Sequence, residues 1–170
     1  QTMKKILVID DKQDNLISIK ALIKNYMPDC EVITAISGAE GLELARKKQP
    51  DTILLDIIMP EMDGYAVCTK LKRNAETKHI PIVMITAIKT DVQSRVKGME
   101  LGADAFLSKP IDPPELTAQI KVMLRIKAAE DKLRDEKENL EIKILERTKA
   151  LRESENALQE AQGIAKIGSW

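Results

Sequence analysis

The sequence TILLDIIMPEMDG occupies residues 52–64 and decides the fold. Its first residues are apolar and rich in isoleucine and leucine, which is typical of a strand buried on both faces of a sheet. Asp56 falls at the carboxyl end of this strand, and Pro60 and Asp63-Gly64 close the element and start the next one. Ligands bind at this edge of an open parallel sheet. Asp56 is therefore either a cap of the following turn or part of a site.

Apolar runs alternate with segments of helical spacing along most of the chain. The predicted strands are residues 6–9, 31–35, 52–56, 80–87 and 105–107, and the predicted helices are 15–26, 38–48 with Ser37 as N-cap, 64–73, 90–101 and one opening at Pro113-Pro114. Strict alternation over about 125 residues specifies a parallel sheet with helices on both faces. We therefore predict a doubly wound α/β fold of flavodoxin-like order 2-1-3-4-5, with its switch point between strands 1 and 3.

Polar residues stand at the carboxyl ends of four predicted strands. They are Asp10 and Asp11 after strand 1, Asp56 after strand 3, Thr86 after strand 4 and Lys109 after strand 5. Because the carboxyl ends of parallel strands meet at one edge of a sheet, we expect these groups to share one crevice. Independent caps would not all choose the same edge, so the pattern favours a functional role for Asp56.

Three carboxylates beside one lysine would leave an excess of negative charge at this edge. Like charges raise one another's pKa unless a cation intervenes, and Mg²⁺ commonly binds through one or two carboxylates. Asp56 could then attack phosphorus as a carboxylate nucleophile and form an aspartyl-phosphate. Thr86 could donate its hydroxyl to one phosphoryl oxygen, and Lys109 could supply positive charge to another. The pattern indicates a phosphoryl-transfer site that depends on Mg²⁺.

At these residues the chain resembles the receiver domains of two-component response regulators, over residues 3–127. The matching motifs are the pair Asp10-Asp11, Asp56 within D-x-x-M-P-x-M-D-G, Thr86-Ala87 and Lys109-Pro110. The resemblance implies Mg²⁺ held by Asp11, Asp56 and the backbone carbonyl of Ile58, with Asp10 acting through water. It also implies Asp56 as phosphoacceptor, with a histidine kinase or phosphotransfer protein as partner. The chain would then be a phosphorylation switch and not an enzyme.

Two further expectations follow from the resemblance. The bond between Lys109 and Pro110 is usually cis in such domains, and only an X-Pro bond adopts that form at low cost. Phe106 stands at the aromatic switch position, where many members carry Tyr. Phe106 can still rotate inward as Tyr does, but it has no hydroxyl group with which to form a hydrogen bond afterwards.

Other functions remain open from the residues alone. Hydrolases with an Asp nucleophile use a similar fold and place a second Asp two residues after the first. Ile58 occupies that position here, so no second carboxylate would activate water, and we expect the phosphoryl group to persist. The alternatives are an Mg²⁺-dependent phosphohydrolase and a dimerisation module whose acidic site is vestigial.

The C-terminal part lacks glycine and proline between Glu115 and Gln162, which predicts a helix of roughly 70 Å at about 1.5 Å per residue. A helix of that length without caps is typical of a coiled coil. The predicted seam carries apolar Met123, Ile126, Leu133, Leu140, Ile144, Leu151, Leu158 and Ala161, and polar Glu130, Lys137, Arg147 and Ser154. The pattern favours a parallel homodimer weakened by its polar positions, with a solvated single helix as the alternative.

Three parts are therefore expected: a receiver domain at 3–127, a coiled-coil linker at 128–161, and at 162–170 a segment resembling the entry to a PAS domain. We expect the output, a PAS-containing sensor kinase or another module, to follow Trp170. The charges balance, with 27 basic and 27 acidic residues, and no apolar run approaches a membrane span. We expect no nucleic-acid or membrane partner. Cys30 and Cys68 lack metal-ligand spacing and are expected to be buried, reduced thiols of a cytoplasmic protein.

Overall fold

The computed structural model describes residues 2–87 and 92–168, without the side chains of 164–168. The strands are β1 (Lys4–Ile9), β2 (Cys30–Ala35), β3 (Thr52–Asp56), β4 (Ile82–Thr86) and β5 (Ala105–Ser108). The helices are α1 (Gln13–Tyr26), α2 (Gly38–Lys48), α3 (Gly64–Arg73), α4 (Val92–Glu100) and α5 (Pro113–Gly168). The strands form one parallel sheet of order β2-β1-β3-β4-β5, which confirms the predicted topology.

Strand β3 lies at the centre of the sheet, and each of its residues is buried. Leu54 belongs to the apolar cluster that includes side chains of α1 and α5, whereas Ile53 and Leu55 belong to the cluster with α2 and α3. Successive side chains of a strand point to opposite faces. Both faces of β3 are therefore covered by helices, which explains why its sequence is apolar without alternation.

Two element boundaries differ from the prediction, for local reasons. Helix α1 begins at Gln13, two residues earlier than predicted, and its N-cap residue Lys12 provides no side-chain cap. The carboxylate of Asp10 accepts the backbone N–H of Lys12 and holds the chain where the helix begins. Strand β4 begins at Ile82, two residues later than predicted. Pro81, just before it, has no N–H to donate to a sheet.

The helix-end predictions are largely confirmed. The Ser37 hydroxyl accepts the backbone N–H of Glu40 at 3.2 Å and caps α2. Helix α5 begins at Pro113 as predicted. Gly102, at φ +105°, follows the end of α4, a conformation that glycine adopts at little cost. Thr90, the predicted start of α4, lies outside the described residues.

The chain separates into two compact units, Gln1–Ala129 and Glu130–Trp170. Within the first unit, α5 contributes Leu116, Ile120 and Met123 to the core. In the second unit, the large apolar side chains that are exposed include Leu133, Leu140, Ile142, Ile144, Leu145, Leu151 and Leu158. Helix α5 continues past residue 161, where the linker is predicted to end. The linker at 128–161 and the PAS-like segment at 162–170 stay predictions.

Both cysteines are buried free thiols, as predicted. Burial raises the pKa of Cys68 to about 11, so this thiol is protonated at neutral pH and unreactive. Among the described residues, no helix is both long and apolar enough to cross a bilayer.

Candidate functional site

The carboxyl ends of β1 and β3 bring together three carboxylates, as the topology predicts. One oxygen each from Asp10, Asp11 and Asp56 lies within 4.8 Å of the others. Asp10 is fully buried, Asp56 is nearly so, and Asp11 is half-buried. Strands β1 and β3 are neighbours in the sheet although β2 separates them in sequence. The cluster therefore lies at the switch point, where doubly wound sheets bind ligands.

Lys109 adds a positive charge to this cluster. Its Nζ lies 3.2 Å from Oδ1 of Asp56 and 3.7 Å from Oδ2 of Asp10. The backbone N–H of Lys109 donates to the carbonyl of Thr86 at 2.9 Å, which ties the β5–α5 loop to the end of β4. The bond between Lys109 and Pro110 is cis, as the resemblance predicted. One lysine thus faces two of the three carboxylates.

Thr86 and Phe106 lie on the two strands beyond β3. Thr86 is buried, and its hydroxyl donates to the carbonyl of Leu107 at 3.4 Å. The Phe106 ring lies against α4, since a Cβ built on Gly98 would stand 2.7 Å from its Cζ and 3.0 Å from Sδ of Met84. The Phe106 ring therefore occupies space directly under α4.

The loop between β3 and α3 is held tightly against the site. The N–H of Gly64 donates to the carbonyl of Ile57 at 2.8 Å. A Cβ on Gly64 would stand 2.7 Å from Cα of Ile57 and would also collide with the carbonyl oxygen of Asp56. Only glycine permits this close approach. Within the loop, Ile58 is 73% exposed, so its side chain is directed to solvent rather than to the core.

The electrostatics of the cluster are poorly compensated. Burial, followed by the neighbouring charge of Asp10, raises the pKa of Asp56; Lys109 opposes this rise, and Asp11 adds a little to it. Among the described residues, Oδ1 of Asp11 is a buried oxygen without a hydrogen-bond partner. Unpaired buried oxygens are rare in folded proteins. The anionic oxygen donors and this unpaired atom fit a hard divalent cation such as Mg²⁺.

Two contacts at the site are not apparent from the sequence. Oδ1 of Asp10 accepts the backbone N–H of Lys12 at 2.9 Å, and Oδ2 accepts a hydrogen bond from Nδ2 of Asn15 at 3.0 Å. From the sequence alone, Asn15 is predicted only to start a helix. A carboxylate just before a helix, with Asn in the first helical turn, is the pattern that could have indicated the contact.

A family model described as the response regulator receiver domain matches residues 6–121. The chain belongs to this receiver domain family. The receiver domain is 44% identical over 131 residues to the response regulator PleD of Caulobacter vibrioides, which covers 76% of this chain and 28% of PleD. The chain thus spans less than a third of that relative. Receiver domains are phosphoacceptor switches of two-component signalling rather than catalysts, in agreement with the reading of the acidic cluster.

Solved structures show the same fold. The chemotaxis protein CheY4 of Vibrio cholerae is 30% identical, with a TM-score of 0.67, over 72% of this chain and 99% of CheY4. The signal receiver domain of a signal transduction histidine kinase from Syntrophus aciditrophicus is 30% identical, with a TM-score of 0.65, over 72% of this chain and 90% of that one. The predicted resemblance to receiver domains is therefore confirmed.

Proposed function

We propose that the receiver domain accepts a phosphoryl group on Asp56, in an Mg²⁺-dependent reaction, from the phosphohistidine of a partner kinase or phosphotransfer protein. The observation that supports this most is the position of Asp56. It is a buried carboxylate that faces Lys109 at 3.2 Å and shares its crevice with Asp10 and Asp11. Burial and the charge of Asp10 raise its pKa, and a bound cation would oppose this rise.

In the proposed transfer, a carboxylate oxygen of Asp56 attacks phosphorus and the P–N bond of the phosphohistidine breaks. The histidine, protonated on its other ring nitrogen, keeps the electron pair of this bond and leaves as neutral imidazole. Lys109 is placed to balance the charge that develops on a phosphoryl oxygen. The Thr86 hydroxyl can exchange its bond with Leu107 for a bond to another phosphoryl oxygen. Bound Mg²⁺, held by Asp11, Asp56 and the Ile58 carbonyl with Asp10 acting through water, would supply further positive charge to the phosphoryl oxygens.

The same residues argue against rapid hydrolysis of the product. The position two residues after Asp56 holds Ile58, which is apolar and largely exposed. It cannot act as a general base toward water. A long-lived aspartyl-phosphate suits a switch, whereas an enzyme must release phosphate continuously.

The direct test is incubation with acetyl phosphate and Mg²⁺ followed by intact-mass spectrometry. The native protein should gain one phosphoryl group, and Asp56→Asn should gain none. Asp14→Asn, which alters an exposed carboxylate on α1, should behave as the native protein. Labelling of Asp56→Asn at the native level would contradict the assignment. Steady phosphate release would identify a phosphohydrolase instead, and failure to bind Mg²⁺ would identify a vestigial site.

We further propose that the α5 helices of two chains pair as a parallel homodimer. The phosphorylation signal would pass along these helices to a PAS-containing output module. The support is the row of exposed apolar side chains at heptad-like spacing, which includes Leu133 at 63% and Leu151 at 61% exposed. Polar seam residues such as Lys137 and Arg147 lower the stability of such a dimer. A weakly held seam can change its geometry at small cost, which is what a signalling helix requires.

A further inference from the structure

The buried carboxylate of Asp10 is satisfied by two donors from the start of α1. Its Oδ1 accepts the backbone N–H of Lys12 at 2.9 Å, and its Oδ2 accepts the side-chain amide of Asn15 at 3.0 Å. A carboxylate has no proton to donate, so the amide must present its nitrogen to Asp10. The Asp10 carboxylate is therefore hydrogen-bonded at both oxygens without any contribution from Lys109.

Lys109 forms an ion pair with the same Oδ2 atom, at a distance too long for a hydrogen bond. Its Nζ is 3.7 Å from Oδ2 of Asp10, whereas it is 3.2 Å from Oδ1 of Asp56. The ammonium group is therefore closer to Asp56 than to Asp10. Asn15 and Lys109 also line a common cavity with Pro110. The amide and the ammonium are thus two donors available to one oxygen, and the amide is the one bonded to it.

Helix α1 fixes the position of the amide. Asn15 lies in the first turn, and its backbone N–H donates to the carbonyl of Lys12 at 3.1 Å. The side chain is half-buried, which limits the rotamers it can adopt. The hydrogen bond to Asp10 is therefore part of a built arrangement and not a transient surface contact.

We propose that Asn15 is a positioning residue for phosphoryl transfer: its amide occupies Oδ2 of Asp10 and thereby leaves Lys109 to Asp56. This inference rests on the proposed phosphorylation of Asp56. Without the amide, Oδ2 of the buried Asp10 would lose a donor, and a buried acceptor without a donor is costly. Lys109 is the nearest replacement, and its movement toward Asp10 would remove the positive charge from Asp56.

Loss of the amide should therefore change two properties in opposite directions. Phosphorylation by acetyl phosphate should slow by about tenfold, the scale of one lost charge-assisted contact. The affinity for Mg²⁺ should rise severalfold, because Lys109 no longer competes for Asp56. A purely structural role for Asn15 predicts something else, since a loosened site would lose both rate and Mg²⁺ affinity.

The experiment compares Asn15→Leu and Asn15→Ala with the native protein, and uses Asn25→Leu, an exposed position on the same helix, as matched control. Phosphorylation rate is measured by mass spectrometry, Mg²⁺ affinity by titration calorimetry without phosphodonor, and folding by circular dichroism. We expect slower phosphorylation with tighter Mg²⁺ binding in both Asn15 variants and neither change in the control.

Each outcome separates this inference from the proposed function. A native protein that acetyl phosphate does not label would overturn the proposed function, whatever the variants do. If the native protein is labelled, an unchanged rate in the folded Asn15 variants, or a parallel fall in rate and Mg²⁺ affinity, overturns the positioning role. Slower phosphorylation with tighter Mg²⁺ binding in Asn15→Leu but not in Asn15→Ala would assign the effect to side-chain bulk. That result would also overturn the positioning role.

Discussion

The two compact units differ in where most of their large apolar side chains lie. In Gln1–Ala129, residues such as Leu54 and Ile85 are completely buried, whereas in Glu130–Trp170 the side chains of Leu140 and Leu158 are 59% and 60% exposed. The receiver unit therefore has a buried apolar core of its own, although some apolar side chains such as Ile58 stay exposed. The exposed apolar side chains described in the second unit, such as Leu140 and Leu158, would be covered in the proposed dimer. Leucine thus belongs to a buried core in the first unit and to an expected interface in the second.

The largest difference in the free energy of unfolding is expected between two variants, each with one leucine truncated in a different unit. Leu54→Ala should lower the free energy of unfolding of the receiver by about 2–5 kcal/mol, because it leaves a cavity in a closely packed core. Leu140→Ala should change it by less than about 0.5 kcal/mol, as is usual for exposed positions. Differential scanning calorimetry of both variants measures the receiver transition. An equal loss in the two variants would show that the contrast between the units is wrong.

The buried strands account for what the sequence could predict. Strand β3 is apolar because both of its faces are covered, and Asp56 interrupts that run where the strand ends. The alternation of strands and helices predicts a parallel sheet, and 2-1-3-4-5 is the common order for five strands. That order brings Asp10 and Asp11 to Asp56. Cluster and topology were therefore predictable from burial pattern and connection rules alone.

The hydrogen bonds within the site were not predictable in this way. The Asn15 amide reaches Asp10 across the bend between β1 and α1, and this depends on side-chain geometry rather than on periodicity. The start of β4 was misplaced because Ile80 is as buried as Ile82, so hydrophobicity does not separate a strand from the segment before it. Residue propensity and hydrophobic periodicity identify strands and helices, whereas side-chain hydrogen bonds depend on the three-dimensional structure.

A smaller change in the free energy of unfolding is expected from Asp56→Asn, and it concerns the receiver unit alone. Its pKa is raised in the folded protein, chiefly by burial, so the folded state holds this proton more tightly than the unfolded state. Stability therefore falls as the pH rises from the ordinary carboxyl range through the raised pKa. Asp56→Asn should stabilise the metal-free protein near neutral pH by about 1 kcal/mol, a usual size for one substitution.

Urea unfolding at several pH values in EDTA checks this expectation. The advantage of Asp56→Asn should shrink as the pH falls below the ordinary carboxyl pKa, where both proteins carry an uncharged group at this position. Asp14→Asn is the control, since that carboxylate is exposed. An advantage that does not depend on pH would show that the charge of Asp56 is not its cause.

The smallest expected effect is a change in distance, and it tests whether the exposed seam of the second unit is an interface. In the proposed dimer, phosphorylation draws Thr86 toward the phosphoryl group, and Phe106 fills the vacated space. The Phe106 ring lies against Gly98 of α4, so its movement would alter the α4 surface of each receiver. Helix α5 is one continuous element from Pro113 to Gly168. A changed pairing of two receivers would therefore shift the register or rotation of the seam.

Spin labels at Leu140 and Leu151, both exposed within the single chain, would report this shift as inter-chain distances. We expect a dimer at micromolar concentration, with distances that change by a few ångströms when beryllofluoride and Mg²⁺ are added. The same labels on Asp56→Asn should show no change, because beryllofluoride needs the carboxylate as its ligand. A monomer in both states would leave the seam solvated and abolish the route through α5. A dimer whose distances stay constant would keep the interface but show that it does not carry the signal, because the polar seam positions would then weaken the dimer without making it switchable.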